Sequence, residues 1–303
     1  MNASLYTVRG TRLYVEQYHE EAREALLYLH GGPGASCLDF GYHQAQALSR
    51  KLRVIAVDQR GVLRSDPIPA DESFGLYDIV EDMEDLRTQL GIPKWSLLGH
   101  SFGGYVAVLY ALKYPHSVDK IIFEAPTFDL GRSTKAIVAK AQSHCVRSRN
   151  QPGEALCTTY LNGSYSAAEL WTGLGELFQL LGEDKDLIYF HGMTTEAYRK
   201  ITQSRAIPGE AWNNSGIHNQ KLQEEGLFFE SLLPRLAELT QPTLLLAGVY
   251  DPVCCQEQQQ AYLKQVPNSR MVRFDGSAHF PRLEEPEKYT EEVLRFIAGR
   301  AGT

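Results

Sequence analysis

Six short apolar runs punctuate the chain, at residues 25–29, 54–57, 95–98, 121–123, 243–247 and 271–274, and most are β-branched or leucine-rich with little polar interruption. Continuous apolar runs of this length, separated by helical patterns, predict strands buried on both faces of a largely parallel sheet. Leu76, Ile79, Val80, Met83, Leu86 and Leu90 recur at helical spacing with Asp82, Glu84 and Asp85 among them, and the pattern stops at Gly91-Ile92-Pro93. That spacing predicts an amphipathic helix packed on one sheet face. Residues 105–112 are apolar nearly throughout and predict a buried helix ending at Tyr114-Pro115, while residues 5–18 alternate loosely and predict an edge hairpin turning at Arg9-Gly10. The fold class is α/β.

Between Thr127 and Arg235 the strand signal disappears and the pattern becomes helical, with Trp171, Phe178, Tyr189, Phe190, Tyr198, Trp212, Phe228 and Phe229 spread through it. This predicts a helical cap at residues 127–235, inserted into an α/β core made of residues 1–126 and 236–303. Most of these aromatics are expected to form the cap's own core, and a few to line a pocket beneath it.

At 303 residues, 43% apolar and 22% charged, the chain has ample material for a large core. A formal net charge of −7 without a Lys/Arg-dense segment argues against a nucleic-acid partner. No stretch approaches the roughly 18 apolar residues of a membrane span, and the first residues lack a basic and then apolar leader pattern, so a cytoplasmic protein with no membrane partner is expected. Cys37, Cys145, Cys157, Cys254 and Cys255 form an odd set without zinc-like spacing, which reads as free thiols and no metal.

Chemistry enters at Gly99-His100-Ser101-Phe102-Gly103, which lies between the predicted strand 95–98 and the predicted helix 105–112. A strand, a sharp turn and a helix form the setting of a nucleophilic serine, and the glycines leave room for the crowded turn. In isolation the same residues would also suit a glycine-rich turn with a capping serine. Three further loops weigh against that alternative. Asp251 follows the predicted strand 243–247, and His279 follows the strand 271–274. His30-Gly31-Gly32-Pro33-Gly34 follows the strand 25–29. All would project from the carboxyl edge of the sheet, where open α/β sheets build their sites. The order serine, acid, histidine is that of Ser101 as nucleophile, Asp251 as orienting carboxylate and His279 as base. The N–H groups of Gly32 and Phe102 are the expected oxyanion hole. Glu124, which ends another strand, is the reserve acid. His30 is expected to fix its loop, and His100 to pack beside the elbow. Cys37 lacks a comparable turn and reads as a small buried residue.

His30 to Gly34, Asp58-Gln59-Arg60-Gly61 and the Gly99 to Gly103 elbow together resemble the prolyl aminopeptidase (proline iminopeptidase) family of α/β-hydrolases, in motif order over essentially the whole chain. The resemblance implies a cofactor-free serine hydrolase that removes an N-terminal residue, often proline, from short peptides or amides, with cap carboxylates holding the substrate amine. This chain departs from the pattern. His100 and Phe102 flank the serine where the family has glycine and tryptophan, Leu63 precedes Arg64-Ser65, and Pro252 rather than a glutamate follows Asp251. Residues 217–221 contain no acid, which leaves Glu210, Glu224 and Glu225, with Trp212 and Gly31, as expected substrate-binding positions. The departures keep a second substrate class open: an ester, lactone or acylated small molecule. A scaffold that binds without turnover is the third reading.

Overall fold

The structure is a computed structural model that describes residues 1–203 and 207–299. Among them eight strands form one sheet in the order β1-β2-β4-β3-β5-β6-β7-β8. These are β1 (Asn2–Val8), β2 (Thr11–Tyr18), β3 (Ala25–Leu29), β4 (Arg53–Val57), β5 (Trp95–His100), β6 (Val118–Glu124), β7 (Thr243–Gly248) and β8 (Ser269–Phe274). The expected hairpin is β1–β2, paired antiparallel from Asn2↔Gln17 to Val8↔Thr11, with Arg9 and Gly10 at φ 46° and 84° in its turn. β2 meets β4 antiparallel, and the strands from β4 to β8 are mutually parallel.

Alternation along the central strands distributes their side chains between two cores. Leu27 and Leu29 of β3 and Leu245 and Ala247 of β7 join one core, whereas Leu26, Tyr28, Leu244 and Leu246 join the other. The first core is covered by α2 (Leu76–Gln89) and α3 (Phe102–Lys113), and the second by α1 (Leu38–Leu48) and α11 (Pro286–Ile297). Burial on both faces is the reason these strands read as unbroken apolar runs.

Between β6 and β7 run α4 (Leu130–Ser148), α5 (Gln151–Asn162), α6 (Ala167–Leu181), α7 (Thr195–Thr202) and α8 (Gly209–Glu225), with no strand among the described residues. α4 to α6 close a third apolar core around Ile137, Cys145, Cys157, Leu174 and Leu177. The C-terminal part adds α9 (Gln256–Gln265) and the short α10 (Pro281–Glu284). All five cysteines are unpaired, and no described helix is long and apolar enough to cross a membrane.

Strand order decides where a site belongs. From β3 the chain steps outward to β4 and then returns past β3 to β5, so the connections leave these two neighbours in opposite directions. The crevice at such a reversal, at the carboxyl ends of the strands, is where α/β sheets bind ligands.

Candidate active site

Ser101 stands at that reversal, between the end of β5 and the start of α3, at φ 55° and ψ −121°. A non-glycine residue at positive φ is held there by its surroundings. The Ser101 N–H donates to the Glu124 carbonyl at 3.0 Å, and its own carbonyl accepts from Gly104 at 2.9 Å and Thr127 at 3.1 Å. Both elbow glycines are required by contact: a Cβ on Gly99 would run into the Gly103 carbonyl, and one on Gly103 into the Leu29 carbonyl of β3.

The loop after β3 presses against the serine from the other side. A Cβ on Gly31 would sit 2.9 Å from that of Ser101, and Gly32 has φ 112°. His30 braces this loop as expected: its Nε2 accepts the Gln59 N–H at 3.2 Å, which leaves Nδ1–H to donate to the Gly31 carbonyl at 3.0 Å. Burial lowers the His30 pKa, consistent with a neutral ring holding both bonds. Beneath the loop, the Asp58 carboxylate accepts from Ser36 Oγ at 2.5 Å, the Cys37 N–H at 3.0 Å and Arg64 Nε at 2.6 Å. The buried Asp58 titrates below the usual carboxylate range: burial pushes it up, and the charge and hydrogen bonds of Arg64 outweigh that. Burial raises the Cys37 thiol well above its ordinary value, so it carries no thiolate character.

His279 and Asp251 meet across the loops after β8 and β7. His279 Nδ1 lies 3.0 Å from Asp251 Oδ1, and the carboxylate also accepts the N–H groups of Val253 at 2.9 Å and Cys254 at 3.0 Å. A carboxylate acceptor at Nδ1 favours the tautomer that carries its proton there and the lone pair on Nε2. His100 lies beside this pair, its ring centroid 4.7 Å from that of His279, and its Nε2 is 3.1 Å from the His279 carbonyl. Burial, then the neighbouring Arg282 and His279, push the His100 pKa well below 6.5, so this neutral ring donates Nε2–H to that carbonyl. His100 thus supports the histidine loop in addition to packing at the elbow.

Glu124 is not the acid of this arrangement. It is fully buried, accepting from Arg282 Nη1 at 2.9 Å and Tyr289 Oη at 3.0 Å. Burial raises its pKa, and the Arg282 charge offsets this only partly.

Ser101, His279, Gly31, Gly32 and Phe102 line one cavity of about 250 Å³. Phe102 opens α3, so its N–H belongs to the unsatisfied first turn of a helix, where negative charge is favoured. Of the aromatics named from the sequence, Trp171, Tyr189, Phe190, Tyr198 and Phe228 reach the cavity wall. Trp212 does not. It is 42% exposed on α8.

The carboxylates expected to bind substrate are also elsewhere. Glu210, Glu224 and Glu225 are exposed on α8, where Glu224 accepts from Gln220 at 2.8 Å and Glu225 from the Leu76 N–H at 3.2 Å. The buried face of α8 turns instead to the loop after β4: His218 Nδ1–H donates to the Arg60 carbonyl at 2.7 Å, and Lys221 Nζ to the Glu72 carbonyl at 2.6 Å. The acids that do line the cavity are Asp39 and Asp186. Asp39 is bound to Arg282 Nη2 at 2.5 Å. Asp186, in the 3₁₀ helix Gly182–Ile188, is half-buried, and no hydrogen bond to its carboxylate is found among the described residues. No sequence signal separates Asp186 from Asp184 in the polar run Gly182-Glu183-Asp184-Lys185-Asp186; only the path of the chain does.

Residues 24–286 match the family described as the alpha/beta hydrolase fold. The chain belongs to that family. The hydrolase is 28% identical over 294 residues to the proline iminopeptidase of Saccharolobus solfataricus, covering 95% of this chain and 89% of that protein. This agrees with the resemblance carried by its motifs. Its fold is shared with a proline iminopeptidase-related protein from Thermus thermophilus (TM-score 0.75, 22% identity, 98% of this chain and 97% of the other). It is also shared with an esterase from Exiguobacterium antarcticum (TM-score 0.67, 24% identity, 98% and 100%).

Proposed function

We propose that this hydrolase is a serine aminopeptidase that releases an apolar or proline-like N-terminal residue from short peptides or small amides. One observation carries the reading: Ser101, in its strained elbow, lines one cavity with a histidine already paired to a carboxylate and with Asp186, a carboxylate that accepts no hydrogen bond among the described residues. The likeness of the chain to a proline iminopeptidase and its Gly-rich loop support the same chemistry.

In this mechanism Ser101 Oγ attacks the scissile carbonyl carbon while its proton passes to His279 Nε2. The resulting imidazolium is stabilised by Asp251, and the tetrahedral oxyanion by the N–H groups of Gly32 and Phe102. Collapse breaks the C–N bond, and the leaving amine takes the proton from His279. Water, deprotonated by the same histidine, then hydrolyses the acyl-enzyme and regenerates Ser101. The aromatic wall accepts the apolar side chain or ring, and Asp186 pairs with the substrate ammonium.

The test is kcat/KM for proline p-nitroanilide beside N-acetyl-proline p-nitroanilide and p-nitrophenyl butyrate. A preference for the free amine of about tenfold or more over its acetylated form is expected, since a charge-assisted bond contributes about 1.5–3 kcal/mol. Equal or faster turnover of the blocked amide or the ester would replace this reading with that of a small-molecule amidase or esterase.

A further inference from the structure

The backbone segment 189–192, which contributes Tyr189 and Phe190 to the cavity wall, is fastened to both loops that carry the acid–base pair. Glu284 Oε1 accepts the N–H groups of His191 at 2.6 Å and Gly192 at 2.7 Å, and its Oε2 accepts that of Ala278 at 2.7 Å, one residue before His279. The His279 N–H donates to the Tyr189 carbonyl at 3.0 Å. On the acid side, the His191 ring stacks on Tyr250, the neighbour of Asp251, with centroids 3.6 Å apart and planes at 2°.

We infer that Glu284 is a positioning residue that couples seating of the cavity wall to the placement of His279. The inference rests on the serine-hydrolase reading of this site. A carboxylate suits the role because its two oxygens accept several N–H bonds at once, whereas the amide of a glutamine keeps one acceptor oxygen and turns an N–H₂ toward the other donors. Glu284→Gln therefore keeps size and removes one side of the bridge. With the bridge cut, wall and histidine loop move independently, and the base loses its alignment to Ser101. Misplacement of a catalytic group by a fraction of an ångström is enough to slow the chemical step strongly.

The experiment compares wild type, Glu284→Gln and Glu284→Asp by kcat, by KM and by the second-order rate of fluorophosphonate attack on Ser101, which needs the serine and its base but no bound amine. Expected for Glu284→Gln is a parallel fall of roughly ten- to hundredfold in kcat and labelling rate, with KM within about twofold. Glu284→Asp, which keeps the carboxylate but is one methylene too short to reach both loops, should lower both rates severalfold and serves if the first variant does not fold. Unchanged labelling rates with only a lower melting temperature would overturn the inference and make Glu284 a purely structural brace. Failure of the wild type itself to be labelled would overturn the serine reading and this inference with it.

Discussion

At the scale of single residues the site divides into side chains held by hydrogen bonds and side chains, such as Asp186, that hold none among the described residues. Asp251 holds three hydrogen-bond partners, His30 two and His100 one. Asp186 holds none among the described residues, although it faces the cavity. If it receives the substrate ammonium, Asp186→Asn should raise KM for a free-amine substrate about tenfold, near 1.4 kcal/mol, while leaving labelling of Ser101 unchanged. Steady-state kinetics on proline p-nitroanilide decides this, and an unchanged KM would move amine recognition to another group. Ser101, Asp251 and His279 were legible because each follows an apolar run in a fixed order. Asp186 was not, because nothing in its polar run tells which of its acids reaches the cavity wall.

At the scale of elements, the strands and the helices on the sheet announced themselves through period and punctuation, and even the β1–β2 turn at Arg9-Gly10 falls where expected. The orientation of the helices between β6 and β7 did not. α8 is weakly amphipathic in sequence, and its exposed acids invited a substrate role. Its direction is set by His218 and Leu222, the buried positions that dock it on the loop after β4. Burial drives the His218 pKa down from an ordinary 6.5 to about 3. Between those values the unfolded chain binds a proton that the folded chain refuses, so stability is full above pH 6.5 and is lost as the pH falls toward 3. The slope is at most about 1.4 kcal/mol per pH unit for one histidine. His30 and His100, also lowered by burial, add to it. Urea unfolding of wild type and His218→Gln at pH 7, 6 and 5 should show a shallower decline in the variant. An identical decline would mean that His218 is not buried neutral.

On the scale of the whole molecule, the reversal of strand order between β3 and β5 brings the Gly31-Gly32 loop and Ser101 together, and β7 and β8 deliver Asp251 and His279 to the same edge. The segment between β6 and β7 meets this edge at the cavity and supplies most of its aromatic wall. Sequence pattern fixed the sheet and its carboxyl edge because burial on two faces leaves an unmistakable apolar signature. It could not fix how that segment meets the edge, since that contact is made through backbone N–H and carbonyl groups, as at Tyr189, His191 and Gly192, which every residue type carries. On the reading proposed above, the assembly makes Ser101 a nucleophile. The most direct measurement is intact-protein and peptide mass spectrometry after treatment with a fluorophosphonate. One adduct, confined to the peptide carrying Ser101 and absent in folded Ser101→Ala together with its activity, is the predicted result; an adduct elsewhere, or turnover that survives Ser101→Ala, would contradict the account.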